Sequence, residues 1–209
     1  MKHASLLLCL LALCLTGCNT GTPLMDNGLE GWETIRFGGE GDVFADEDGV
    51  LNVDMGSPMS GMIYTGDVAE LFGEDLENYE IAVQTQRREG IDMFMGLTFP
   101  VGHDGHVSLV IGGWTGAITG LSNLDGMNAS ENETTKYRSF EDNTWYDVRI
   151  RVTSEKIECW LDGEQIVDVV RSYYEDFDTH GAVLDTKPFG FFTYATWGAY
   201  RNMTVTRLD

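Results

Sequence analysis

The stretch from residue 146 to 169 constrains the fold more than any other part of this chain. Tyr146, Val148, Ile150 and Val152 alternate with Asp147, Arg149, Arg151 and Thr153. Successive side chains of an extended strand point to opposite faces, so the pattern describes a strand with one face in a core and one in water. A second extended run follows at 157–161, then Asp162-Gly163, then a third run at 164–169. Asp-Gly between two such runs marks a two-residue hairpin, because both central positions of its turn need positive φ. A chain built around this unit makes antiparallel sheet.

The remainder agrees. Nine more strand candidates lie at 34–37, 50–54, 62–65, 79–88, 92–99, 107–111, 117–121, 189–194 and 200–207. Helical spacing shows only at 67–72, for one or two turns. Glycine is frequent and proline scarce, 25 against 4, which suits many tight turns. A dozen short strands with glycine-rich connections predict an all-β fold, a sandwich or jelly roll. Two runs, 93–99 and 189–192, are apolar at nearly every position. Such strands lie inside a sheet, one face in the core and the other under a loop or ligand. No repeat or change of composition divides residues 25–209, which read as one domain.

The first 17 residues read as a leader. Lys2 and His3 precede an apolar run at 6–15, the length of a signal-peptide core and too short for a spanning helix. Leu15-Thr16-Gly17-Cys18 resembles a lipobox, which makes Cys18 the lipidated residue and 18–24 a short linker. The expected protein is an extracytoplasmic lipoprotein that touches the membrane through its anchor; an ordinary secretory signal is the alternative. Cys9 and Cys14 leave with the leader, and Cys159 remains as a buried strand cysteine. The charge of −21, from 13 basic and 34 acidic residues, excludes nucleic acid as partner and a basic patch on anionic lipid.

An ordered set of landmarks runs along the domain. It comprises Asp48-Gly49-Val50-Leu51, Asn78-Tyr79-Glu80-Ile81, the run from Phe94 to Pro100 with Val101-Gly102, and Gly112-Gly113-Trp114. Leu124-Asp125-Gly126, Asn132-Glu133-Thr134-Thr135, Trp145-Tyr146, Pro188-Phe189-Gly190 and Arg201-Asn202-Met203 continue it. In order and spacing this set resembles the 3-keto-disaccharide hydrolase domain family, over about residues 28–208. The resemblance implies a concanavalin A-like jelly-roll β-sandwich and a carbohydrate or glycoside ligand. It also implies cleavage of 3-keto-glycosides: the C3 ketone acidifies the C2 proton, a base removes it, and the C1 substituent leaves before water adds. That chemistry needs a base, a donor or cation for the oxyanion, and an acid for the leaving group.

Glycosidases need paired carboxyls, and the Glu-x-Asp-x-Glu strand of concanavalin A-like glucanases is absent; Glu40-x-Asp42 is followed by Phe44. The catalytic candidates are Arg88 for the oxyanion, Asp92 and Glu131 as base or metal ligand, and His103 as acid–base group or ligand. His103-Asp104-Gly105-His106 also reads as an exposed hairpin turn, and His180 as a solvated loop residue. Gln84, Gln86 and Arg88 share one strand face that carries little apolar bulk; they contact sugar hydroxyls or form an ion-paired solvent face. Trp114 and Trp197, in glycine-flanked turns, stack on sugar or pack inside. Trp32, Trp145 and Trp160 read as core. The loop 123–135, with Asp125, Asn128, Glu131, Asn132 and Glu133, carries oxygens for a divalent cation such as Ca²⁺, or is plain surface. Two further functions stay open: a non-catalytic carbohydrate-binding module, and a structural envelope protein.

Overall fold

All twelve strands expected from alternation and apolar runs form, with ends shifted by a few residues. The structure, a computed structural model, describes residues 21–37, 41–179 and 181–208. In chain order the first elements are β1 (Thr22–Pro23), β2 (Trp32–Ile35), β3 (Val43–Ala45), β4 (Leu51–Val53), β5 (Met59–Tyr64) and the short helix α1 (Val68–Phe72). Then come β6 (Tyr79–Gly90), β7 (Met95–Val101), β8 (Gly105–Gly112), β9 (Ile118–Ser122) and β10 (Lys136–Tyr137). The last five are β11 (Trp145–Val152), β12 (Lys156–Leu161), β13 (Glu164–Val170), β14 (Gly190–Tyr194) and β15 (Thr196–Arg207).

They form two antiparallel sheets packed as a jelly-roll sandwich. One has eight strands, ordered β13-β12-β11-β6-β15-β4-β3, with β1 also on β15. The other has seven, ordered β10-β9-β8-β7-β14-β5-β2. Alternation decides what enters the core between them. Tyr79, Ile81 and Val83 of β6 and Val148, Ile150 and Val152 of β11 face inward from the first sheet. Met95, Leu97 and Phe99 of β7 and Val107, Leu109 and Ile111 of β8 meet them from the second. Phe189 sits fully buried, its ring 4.9 Å from Phe72 and 5.6 Å from Trp32. α1 begins at Asp67, whose Oδ1 accepts the N–H groups of Ala69 and Glu70, and stops at Gly73 with φ +97°.

Four expectations change. Residues 22–24 are not linker: β1 pairs with β15, and the Leu24 N–H donates to the Met203 carbonyl. A two-residue strand is too short to show alternation. β3, of three residues, and β10, of two, escape prediction because they too are short. Trp197, expected in a turn, lies inside β15. Trp145 and Trp160, expected in the core, lie half-buried on the outer face of the eight-stranded sheet. Arg201 stacks 4.0 Å from the Trp145 ring centroid and Arg149 3.7 Å from that of Trp160. Guanidinium planes cover these indoles where another sheet would in a core. Trp32 and Cys159 are buried as expected, and burial pushes the Cys159 thiol far above its ordinary pKa. The expected leader at 1–17, Cys18 and His180 lie outside the described residues.

Candidate active site

The outer face of the seven-stranded sheet carries a second apolar cluster, Met93, Val110, Ile118, Ala129 and Phe192, apart from the main core. The apolar runs at 93–99 and 189–192 predicted such a covered second face. Part of the cover is a loop: Thr98, facing outward on β7, bonds to Thr186 Oγ1 at 2.6 Å and Ser108 Oγ at 2.8 Å. Elsewhere a cleft of about 460 Å³ opens over the cluster, a size that suits a small organic ligand.

Gly96 sets the depth of the cleft floor. It pairs with Phe192 across β7 and β14, and a Cβ at position 96 would lie 2.3 Å from the Phe192 ring. Without that Cβ the ring lies against the strand. The Gly96→Ala variant is expected to lift Phe192 into the cleft and weaken ligand binding about tenfold or more. It also strains a packed contact, at about 1–3 kcal/mol. Calorimetric titration and a denaturant melt read the two effects separately.

One end of the cleft is the turn 113–116. Trp114 and Thr115 both take left-handed backbone, φ +48° and +68°, a conformation that is held only when the surroundings enforce it. Asp92 enforces it. Its Oδ2 accepts the Thr115 N–H at 2.9 Å, and its Oδ1 accepts the Met93 N–H at 2.8 Å. The result is Trp114 standing 42% exposed at the rim. The sequence candidates Asp92 and Trp114 therefore meet in one site.

Another wall comes from the end of β9 and the loop after it. Asn123 Nδ2 donates to Asn128 Oδ1 at 3.0 Å, and Asn128 Nδ2 donates to Glu131 Oε2 at 2.7 Å. Glu131 thus stands behind Asn128 and fixes which way its amide points; it does not line the cleft. Asn132, buried, anchors the loop. Its Nδ2 lies within 3.1 Å of the carbonyls of Leu121, Met127 and Asn128, and its Oδ1 accepts from Thr134. Asp125 Oδ1 accepts the N–H groups of Glu175 and Asp176, tying this loop to the next. Of the oxygens that suggested Ca²⁺, those of Asp125, Asn128, Glu131 and Asn132 accept N–H groups of the chain itself. Among the described residues no cluster of three His, Cys, Asp or Glu side chains is placed to hold a metal.

Three lining hydroxyls, those of Thr115, Thr179 and Tyr194, have no hydrogen-bond partner among the described residues. Thr179 Oγ1 is buried and unpaired, and Tyr194 is 41% exposed at the rim. Asp92 is the one charged side chain among the described lining residues.

The other candidates lie elsewhere. Gln84, Gln86 and Arg88 do share a face, but it is the outer face of the eight-stranded sheet. Gln84 Oε1 accepts from Arg201 and Asn202, and its Nε2 donates to Asp147. Gln86 is buried beside Trp145. Arg88 lies 5.7 Å from the Trp145 ring centroid and 3.9 Å from Asp46. Trp197 donates its indole N–H to Asn52 Oδ1 and packs on Phe44. His103 is exposed on the turn between β7 and β8 and does not line the cleft. Sequence reasoning did not single out Thr179, Tyr194, Phe192 or Asn123; the unbroken apolar runs were the signal for Phe192.

His106 of β8 sits under the segment that carries Thr179. Its N–H donates to the Phe177 carbonyl, and its Nε2 is buried with no partner. Burial, chiefly, and nearby Lys187 hold its pKa below the ordinary value, against a smaller opposing pull from Asp178. The unfolded chain therefore binds a proton here that the fold resists. The stabilising contribution is complete above about pH 6.5 and declines as pH falls toward the lowered folded value. Thermal melts across that window are expected to show this loss, and His106→Gln to flatten it.

Comparison with known proteins follows this geometry. The pattern of the 3-keto-alpha-glucoside-1,2-lyase-like domain family matches residues 21–206. A comparison with curated protein sequences finds no match. Among solved structures, carbohydrate binding module CBM66 from Bacillus subtilis is similar in fold, with TM-score 0.55 and 11% identity, over 84% of this chain and 95% of that one. A Parabacteroides distasonis ATCC 8503 protein provisionally named a glycosyl hydrolase superposes with TM-score 0.51 and 15% identity, over 87% of this chain and 90% of that one. The jelly roll and the match along nearly the whole described chain place this protein in the 3-keto-alpha-glucoside-1,2-lyase-like domain family, a carbohydrate-active family.

Proposed function

We propose that the cleft binds a 3-keto-glycoside, with Trp114 against the sugar, and that the domain cleaves it by elimination and hydration. The observation that carries this is the Asp92-clamped Trp114 at the rim of a cleft walled by oriented amides. A tryptophan held out of the core on strained backbone offers a rigid apolar face to a sugar ring. Asp92 is the base available in the cleft: each of its oxygens accepts one N–H and keeps further lone pairs. It takes the C2 proton, the C2–H electrons form the C1–C2 double bond, and the C1–O bond breaks. The hydroxyls of Thr179 and Tyr194 are the donors for the enediolate oxygen and the departing oxygen. Water then adds across the double bond to complete hydrolysis.

The fold of this chain is also that of CBM66, a carbohydrate binding module. One observation favours a purely binding role: both Asp92 oxygens already hold backbone N–H donors, Oδ2 that of Thr115 in the turn and Oδ1 that of Met93. Incubating the full chain with 3-keto-trehalose and a 3-keto-glucoside, with and without EDTA, decides between them. Released 3-keto-glucose by mass spectrometry is the result expected, and its absence with both substrates leaves the binding role. Sensitivity to EDTA would add a metal. We further propose that Cys18 anchors the domain outside the cytoplasm, so that Cys18→Ser releases it from the membrane fraction.

A further inference from the structure

The cleft is built in two unlike halves. Ser122, Asn123 and Asn128 come from the end of β9 and its loop; Phe192, Tyr194 and Met59 come from β14 and β5. Met93 and Val110 lie between. Along the sheet order β9-β8-β7-β14-β5 the second half stands three to four strand spacings from β9, or about 14–19 Å at the usual spacing. A sugar ring carries hydroxyls on all its edges, and the amide half matches that. The other half offers one hydroxyl, from Tyr194, on a surface otherwise of carbon and sulfur.

The apolar surface continues past the cleft. Ile91, Met127 and Leu184, each adjacent in sequence to a lining residue, are exposed, Ile91 at 74%. Exposed apolar residues grouped round a cleft mark a contact surface. Methionine and aliphatic side chains adapt to a flexible chain better than to a rigid polar ring. With Asp92 as the one charged group among the described lining residues, and both its oxygens holding N–H donors, the complementary ligand is neutral.

We propose that the cleft takes an amphiphilic glycoside, its sugar on the Asn123–Asn128 wall beside Trp114 and an alkyl aglycone along Met93, Phe192 and Met59. The proposal rests on the reading of the cleft as a sugar site and adds the class of the leaving group. The bond to be broken then lies where the two halves meet.

The test is calorimetric titration of the full chain with methyl α-glucoside and with octyl α-glucoside below its micelle-forming concentration. The octyl compound is expected to bind at least tenfold more tightly, since two buried methylenes already give about that factor. Met59→Gln is expected to bring the ratio of the two affinities toward one. Met59 is half-buried at the cleft edge, so a polar side chain of similar length leaves the core untouched. Equal affinities, or an octyl advantage unmoved by Met59→Gln, overturn the proposal. Turnover of 3-keto-trehalose with no octyl advantage means that the aglycone is a sugar: the cleft reading stands and the alkyl proposal falls. No binding of either glucoside and no turnover remove both.

Discussion

Asp92→Ala is expected to abolish function, and Asp92→Asn to divide it. Alanine removes the acceptors for the Thr115 and Met93 N–H groups. The turn then relaxes from its left-handed backbone, and Trp114 loses its place at the rim. Asparagine keeps one carbonyl oxygen for the Thr115 N–H but cannot take a proton from carbon. If Asp92 is the base, both variants lose about 10²–10⁴-fold in turnover, while only alanine also loses affinity. If Asp92 serves the turn alone, asparagine keeps turnover within a few-fold. Kinetics on 3-keto-trehalose with a parallel binding titration reads both, and an Asp92→Asn variant of full activity excludes Asp92 as the base.

Asn132→Ala is expected to cost about 3 kcal/mol of stability. The side chain is 8% exposed, and its amide reaches three carbonyl oxygens while its oxygen takes two donors from Thr134. Deleting one partner leaves the buried others unpaired, at about 1–3 kcal/mol for each group so stranded, partly recovered by water. The loop then loosens, and Asn128 with it, so affinity falls as well. Asn132→Asp is no rescue, because it sets a charge among the carbonyls. Urea denaturation reads the change. A loss below about 0.5 kcal/mol, the level of a surface substitution, would mean that Asn132 does not hold the loop.

Alternation made the sandwich legible because each strand's inner face is apolar and its outer face is not. The same parity placed Trp145 and Trp160 on the arginine face: Trp145 lies on the side of Asp147 and Arg149, and Trp160 between inward Cys159 and Leu161. Residue type misled there, since large aromatics are core residues by habit and these two are covered by guanidinium groups instead. The candidate site was legible by halves. Glycine context picked out Trp114, and nearness to the adjacent Arg87 and Arg88 picked out Asp92. Gln84, Gln86 and Arg88 have the chemistry of a sugar site, but strand order decides which sheet carries the cleft, and no local pattern encodes that order. Thr179 was hidden because an unpaired buried hydroxyl is a property of packing.

The claim at the centre of this account is that sugar binds on the seven-stranded sheet and not on the arginine–tryptophan face of the other. The direct measurement is a calorimetric titration of 3-keto-trehalose into the full chain and into two variants, Trp114→Ala and Arg201→Gln. Trp114→Ala is expected to lose at least tenfold in affinity, because base and sugar stacking on aromatics is worth about that much or more. Arg201→Gln, which alters only the face around Trp145, is expected to bind within twofold of the parent. The reverse pattern, full affinity in Trp114→Ala and a loss in Arg201→Gln, would place the sugar on the opposite sheet and contradict the account.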